Sequence, residues 1–291
     1  MNERYSLKTV RATRKPKFSI MKTISLSFIV FVILFVGCIS ESIDEAHLKY
    51  RGNCEVNELP SLGLSPNDMV AIGILHNEYA LRVQSEIRLN SKTEFAEIVN
   101  GLTDLYNSEL DRLQITDFPQ SYEYVIERSM DVNRQLTNLG YDLREWNNCM
   151  LSTAGFNEFD KIFETLDNAI DVQDINGKID VLVVQFSSSN LTQYEKEILI
   201  TSAEVARNSF ELWAPQSIGG LNFYNDIHKG VQLRWSWRNA ARGDVAGLAT
   251  YFNGLAVSGA INAAWIPGAN GAIAAGAAAA AVGGSIWGGI F

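Results

Sequence analysis

Residues 245 to 291 carry no charged side chain, and 25 of these 47 residues are Gly or Ala. Few structures accept such a stretch. Ala favours a helix, whereas each Gly costs one about 1 kcal/mol relative to Ala. The six glycines from Gly271 to Gly289 therefore oppose an isolated helix, and close packing must offset them. Pro267 divides the stretch into two arms, Ala246 to Trp265 and Gly271 to Ile290, each of 20 residues. As helices these are about 30 Å long, the thickness of a hydrocarbon core. Ile266 to Asn270 supplies the turn between them. Gly268, Ala272, Gly276, Ala280, Gly284 and Gly288 recur every four residues, and Ala256, Ala260 and Ala264 continue that register through the first arm. This is the small-xxx-small ridge that lets helix backbones approach closely. The pattern predicts a Gly/Ala-zipper helical hairpin. Its packing partner is the other arm, a second copy of the chain, or the rest of the protein. The expectation is a hairpin that associates with a lipid membrane; a buried soluble hairpin and a disordered tail are the alternatives.

The segment just before the hairpin is basic and aromatic. Arg234, Arg238 and Arg242 form one helical stripe with Trp235 and Trp237 interleaved, the composition of an interfacial anchor beside an apolar helix. The competing reading pairs these arginines with acidic residues elsewhere in the chain. Such residues are plentiful, because residues 23 to 228 carry 13 bases against 31 acids. A body so acidic repels a polyphosphate backbone, so no nucleic-acid partner is expected.

Residues 65 to 221 read as a helical body. Ser65-Pro66 offers an N-cap with Pro at the first helical position, followed by Met69, Ile72, Tyr79, Val83 and Ile87 at helical spacing. Ser91 to Glu94 and Thr192 to Glu195 are capping boxes, in which the hydroxyl and the Glu satisfy orphan amides reciprocally. They open helices with apolar faces running to Leu113 and to Trp213. Pro119 to Gly140 and Phe156 to Ile170 make two more. Val181 to Phe186 is β-branched enough for a strand, but no second strand is available to pair with it, so residues 179 to 187 are assigned to a buried helix. The fold class is all-α.

The opposite end of the chain has the order of an export signal. Seven Lys or Arg within residues 1 to 22 precede an uncharged apolar run, Ile24 to Ile39, which is short for a spanning helix. Met21-Lys22 would itself begin a compact signal, so the true start is either Met1 or Met21. The run ends Leu34-Phe35-Val36-Gly37-Cys38, which resembles the lipobox of bacterial lipoproteins. Phe35 and Val36 are larger than the residues usual there. The resemblance implies lipidation of Cys38 and placement in the bacterial cell envelope. With Cys38 consumed, Cys54 and Cys149 remain as a pair able to close a disulfide. The layout is then a signal peptide over 1–38, a tether over 39–64, the body over 65–221, a basic connecting helix over 222–244 and the hairpin over 245–291.

Catalytic signals are lacking. His47, His76 and His228 do not make an H-E-x-x-H pair, there is no phosphate loop or nucleophile elbow, and no metal or cofactor is expected. His76 lies among Ile72, Tyr79 and Val83 on helical geometry, as a core histidine would, and Glu78 and Glu86 read as solvated carboxylates. Ser217-Ile218-Gly219-Gly220 resembles the double-glycine leader of class II bacteriocin precursors. Those leaders are short and N-terminal, however, and a turn is the preferred reading at this position. The His76-Asn77-Glu78 triplet, the stretch Ala206 to Trp213 and the Gly/Ala-rich C-terminal tail together resemble a group of uncharacterised, exported, lipoprotein-like proteins of Bacteroidota. That resemblance implies export and a helical body, and no activity. The functional expectation is a lipid-anchored envelope protein with a membrane-associating, bacteriocin-like hairpin. The alternative is a structural or binding lipoprotein whose hairpin is buried core.

Overall fold

Ser65 and Asp68 cap the first helix reciprocally: the Ser65 hydroxyl accepts from the Asp68 amide at 3.2 Å, and the Asp68 carboxylate accepts from the Ser65 amide at 2.8 Å. Helix α1 spans Pro66–Ile87 and α2 spans Phe95–Arg112. Ser152 caps α3, Thr153–Asn168, and Asp171 caps α4, Val172–Ser188. The Thr192–Glu195 capping box is formed and opens α5, Gln193–Trp213. Helices α6, Trp237–Val257, and α7, Ala269–Ile290, complete the set. The computed structural model describes residues 56–87, 95–115, 144, 150–223, 236–257, 261 and 268–290. Among these residues the protein is all-α and has no strand.

Two helices form the interior. Helix α7 packs on α6, α1 and α2, and α5 packs on α1, α6, α4 and α3. Ala272, Ile273, Ala275 and Ala277 to Ala281 are fully buried, so α7 is covered on every side, as a helix apolar all round must be. Small side chains let three helices close in on it. The described residues belong to one compact unit, Tyr50–Phe291, so the hairpin is part of the same body as α1 to α5.

Several expected boundaries move. Among the described residues, the end of the expected connecting helix and the start of the first hairpin arm are one continuous helix, α6, because Arg238, Arg242 and Asp244 find partners in the body. The tether is shorter than expected, since Val56, Leu62 and Leu64 are core residues. Glu197 holds that stretch, accepting from the Ser61 hydroxyl and the Leu62 amide, each at 2.6 Å. The 179–187 segment is helical, but only half buried. Ile179, Leu182 and Phe186 face the core, while Val181 and Val184 are 66% and 69% exposed. The predicted Pro119–Gly140 helix lies outside the described residues.

Candidate functional site

The most concentrated polar chemistry lies inside the bundle, where α1, α5 and α6 meet. His76 on α1 and Asp244 on α6 are both fully buried. His76 Nε2 lies 3.0 Å from Asp244 Oδ1, without the alignment of a straight hydrogen bond. Trp213 Nε1–H, from the last turn of α5, donates to Asp244 Oδ2 at 2.7 Å. On the far side of the ring, His76 Nδ1 is 2.9 Å from Asn77 Oδ1. The Asn77 amide is oriented by its Nδ2 group, which donates to the Asn208 carbonyl at 3.1 Å. The two imidazole nitrogens therefore face polar side chains of the same cluster, Asn77 on one side and Asp244 on the other. The network lies out of contact with water. It ties α6 to two other helices rather than offering a group to a substrate.

Glu195 is a second hub. It is 1% exposed. Its Oε1 accepts from the Ser152 amide at 2.9 Å and the Ser152 hydroxyl at 2.6 Å. Its Oε2 accepts from the amide and hydroxyl of Thr192, both at 3.0 Å. Ser152 and Thr192 are the N-caps of α3 and α5, so one carboxylate organises two helix starts. Burial alone pushes Glu195 up, but the four hydrogen bonds outweigh it and hold the group below the ordinary carboxylate range. A group lowered in the fold adds stability above its unfolded pKa, and that contribution is lost as pH falls through the folded value. Glu195→Gln is thus expected to cost about 1 to 3 kcal/mol near neutral pH. In urea titrations the gap to wild type should shrink as the pH drops below about 4; a gap independent of pH would refute the ionised hub.

The predicted interfacial residues are engaged within the protein where they are described. Arg238 donates to the carbonyls of Leu166 at 3.2 Å and Ala169 at 2.7 Å, capping the C-terminal end of α3, and stacks on Trp237 at 4.3 Å. Arg242 pairs with Asp167 at 3.0 Å and lies over the Phe163 ring at 5.0 Å. Half-buried Trp237 meets Phe210 edge-on at 4.8 Å. Of the two readings of the stripe, pairing with the acidic body is the one these contacts support. Arg234 and Trp235 lie outside the described residues.

The small-residue ridge of α7 meets α6, at residues that the four-residue spacing does not include. A Cβ on Gly243 would sit 2.7 Å from the Gly284 carbonyl oxygen, and one on Gly247 would collide with the Ala280 carbonyl. A Cβ on Gly276 would enter the Tyr251 ring. Gly243, Gly247 and Tyr251, four apart on α6, therefore oppose Gly284, Ala280 and Gly276 on α7 in antiparallel order. Within the described residues the ridge is thus met by Gly243, Gly247 and Tyr251 of α6, all before Ala256 in the chain. Ala256 is only half buried, and Ala260 and Ala264 lie outside the described residues. Gly268 adopts φ +85° and forms the turn into α7; Ala272 is buried, and Gly288 lies in the last turn of that helix. Ala278 and Ala279, off the ridge in the sequence reading, are fully buried too, because α1 and α2 cover the faces that α6 leaves.

Cys38, Cys54 and Cys149 lie outside the described residues. Among those described, no three His, Cys, Asp or Glu side chains converge as a metal site. Glu78 and Glu86 are exposed, the latter 3.6 Å from Arg82. Sequence reasoning missed Asp244 and Trp213. The signal for Asp244 was present, since it is the last charged residue of the chain and a charge next to such a segment needs a partner if the segment is core. Compared with protein-family models, curated proteins and solved structures, the chain matches none.

Proposed function

We propose that this chain is an exported protein of the bacterial envelope, anchored by a lipid on Cys38. On this reading its folded part is a structural or binding module, and the Gly/Ala hairpin serves as its core. The observation that carries the core assignment is the enclosure of α7. Ala269–Ile286 is long and apolar enough to cross a bilayer, yet 83% of it is buried inside the protein. Insertion would have to take the same surface away from α1, α2 and α6, with Asp244 leaving its buried site beside His76 and Trp213. Self-association through the ridge would likewise require α6 to move off it. Export and lipidation rest on the basic n-region, the apolar run and the Val36-Gly37-Cys38 sequence, together with the likeness to the lipoprotein-like group of Bacteroidota.

Two measurements test this reading. Cells fed a clickable fatty acid should label the wild-type chain and leave Cys38→Ala unlabelled; equal labelling would remove the lipid anchor. Residues 39 to 291, carried by a cleavable secretory signal, should appear in the soluble fraction after export. Recovery in the alkali-washed membrane would favour the inserting hairpin instead.

A further inference from the structure

A cleft of about 640 Å³ runs along the seam between α3 and α4. Two cross-links fix the register of its walls: Gln185 Nε2 donates to Glu158 at 2.6 Å, and Lys178 Nζ donates to the Asn168 carbonyl at 3.0 Å. The helices run antiparallel, so Glu164 falls level with Val181 and Leu182 across the seam. Gly177 widens the cleft on the α4 side. Its backbone is ordinary helix, and a Cβ there would meet nothing within 4 Å, so no turn and no close helix contact asks for glycine. Gly is a poor helix former; what it offers in exchange is approach of a ligand to the backbone. Exposed Val181 and the edge of Leu182 give the cleft an apolar wall, and Thr165 lines it from α3.

The charges around the cleft are matched except for one. Lys178 is committed to Asp174 at 2.7 Å as well as to the Asn168 carbonyl, and Lys161, one turn before Glu164, holds Glu158 at 2.8 Å. Asp160 pairs with Arg144, Asp167 with Arg242 and Asp180 with Arg207, while Asp171 caps α4. Among the described residues, Glu164 is thus the acid of this helix pair that has neither a cation nor a cap to serve. It borders the cleft. The cleft therefore presents one uncompensated negative charge beside hydrocarbon, in a body whose overall charge draws cations toward it. A single carboxylate supplies too few oxygens for a hard metal ion, and an anion is repelled.

We propose that the α3–α4 cleft binds a small organic cation, an alkylammonium whose charged end meets Glu164 and whose hydrocarbon stem lies over Gly177 against Val181 and Leu182. The free carboxylate sets the sign of the ligand, and the apolar wall with its missing side chain sets the stem, the usual division of labour in a small-molecule site. Gln173, at the other end of the cleft, offers an amide to a polar group on the far end of the ligand. The inference gives the folded part a ligand and is independent of export, of the lipid on Cys38 and of the burial of the hairpin.

The test is saturation-transfer NMR on the full chain, with n-hexylamine as the probe and n-hexanol and hexanoate as neutral and anionic controls. The amine should bind saturably and more tightly than either control. Glu164→Gln should weaken the amine about threefold, the scale of an exposed charge pair, and leave hexanol unchanged. Gly177→Leu, which puts a side chain where the stem lies, should abolish saturable binding. Gly177→Ala should weaken the amine while raising the melting temperature, which separates loss of the ligand from loss of the fold. Glu211→Gln, at an exposed acid of α5 outside the cleft, should bind like wild type. Absence of saturable amine binding, equal binding of hexanoate, or wild-type binding in Glu164→Gln or Gly177→Leu would overturn the site. Acetyl-lysine methylamide carries the same ammonium on a peptide unit and should compete less well than hexylamine; stronger competition would overturn the free amine and assign the cleft to a lysine side chain.

Discussion

Asp244→Ala is expected to lower the stability of the fold by about 3 to 5 kcal/mol, the cost of removing one member of a buried pair and leaving the other without compensation. The loss falls on three elements at once. His76 Nε2 loses the carboxylate it faces, the Trp213 indole N–H loses its acceptor, and α6 comes free from α1 and α5. His76→Ala should cost less than Asp244→Ala, because Trp213 still serves Asp244 in that variant. Asp244→Asn should fall between wild type and Asp244→Ala, since its carbonyl keeps the Trp213 bond while the charge is gone. Urea unfolding followed by tryptophan fluorescence measures all three. A loss under about 1 kcal/mol for Asp244→Ala, within the range of an ordinary surface substitution, would mean that the pair is not what roots α6.

The second large effect concerns close backbone approach. Gly247→Leu should abolish folding, and Gly247→Ala should destabilise by about 1 to 3 kcal/mol even though Ala is the better helix former. The reason is what the new Cβ meets. At Gly247 it meets the Ala280 carbonyl and, at 3.0 Å, the Gly284 Cα, backbone atoms that cannot rotate away. Gly177→Ala provides the opposite case in a helix of the same protein. With nothing within 4 Å, it should stabilise by about 0.5 to 1 kcal/mol. Midpoint shifts in urea at constant slope would report both. A stabilising Gly247→Ala would show that α6 and α7 are not in backbone contact there.

The contrast between these two glycines shows where sequence reading works. Helix starts at Ser65 and Thr192 were legible because a cap and its partner lie within four residues of one another. The all-α fold followed from such local signals. The Gly/Ala spacing also identified the face of α7 that meets α6, but it did not include Gly243 and Gly247, which that face meets. Gly243 lies outside the expected hairpin because the hairpin was rooted after the last charge, Asp244. Arg238, Arg242 and Asp244 are accommodated within α6 because the carbonyls at the end of α3, Asp167 and His76 partner them in turn. Those partners lie between 69 and 168 positions away in the chain, where no local pattern reaches. For the same reason Glu195 reads as half of one capping box, while its equal bond to Ser152, 43 residues earlier, becomes visible only in three dimensions.

The position of α7 in the order of synthesis sets how the chain can fold. Helices α1 and α2 bury their apolar faces against a helix made about 180 to 200 residues after them, so contacts that complete the first part of the fold wait for the end of it. Non-local closure of this kind is slow, and until it happens the early helices keep apolar surface exposed and stay open to holdases. The nascent chain therefore remains pliable through most of translation, the condition needed by any route that threads a polypeptide across a membrane before it folds.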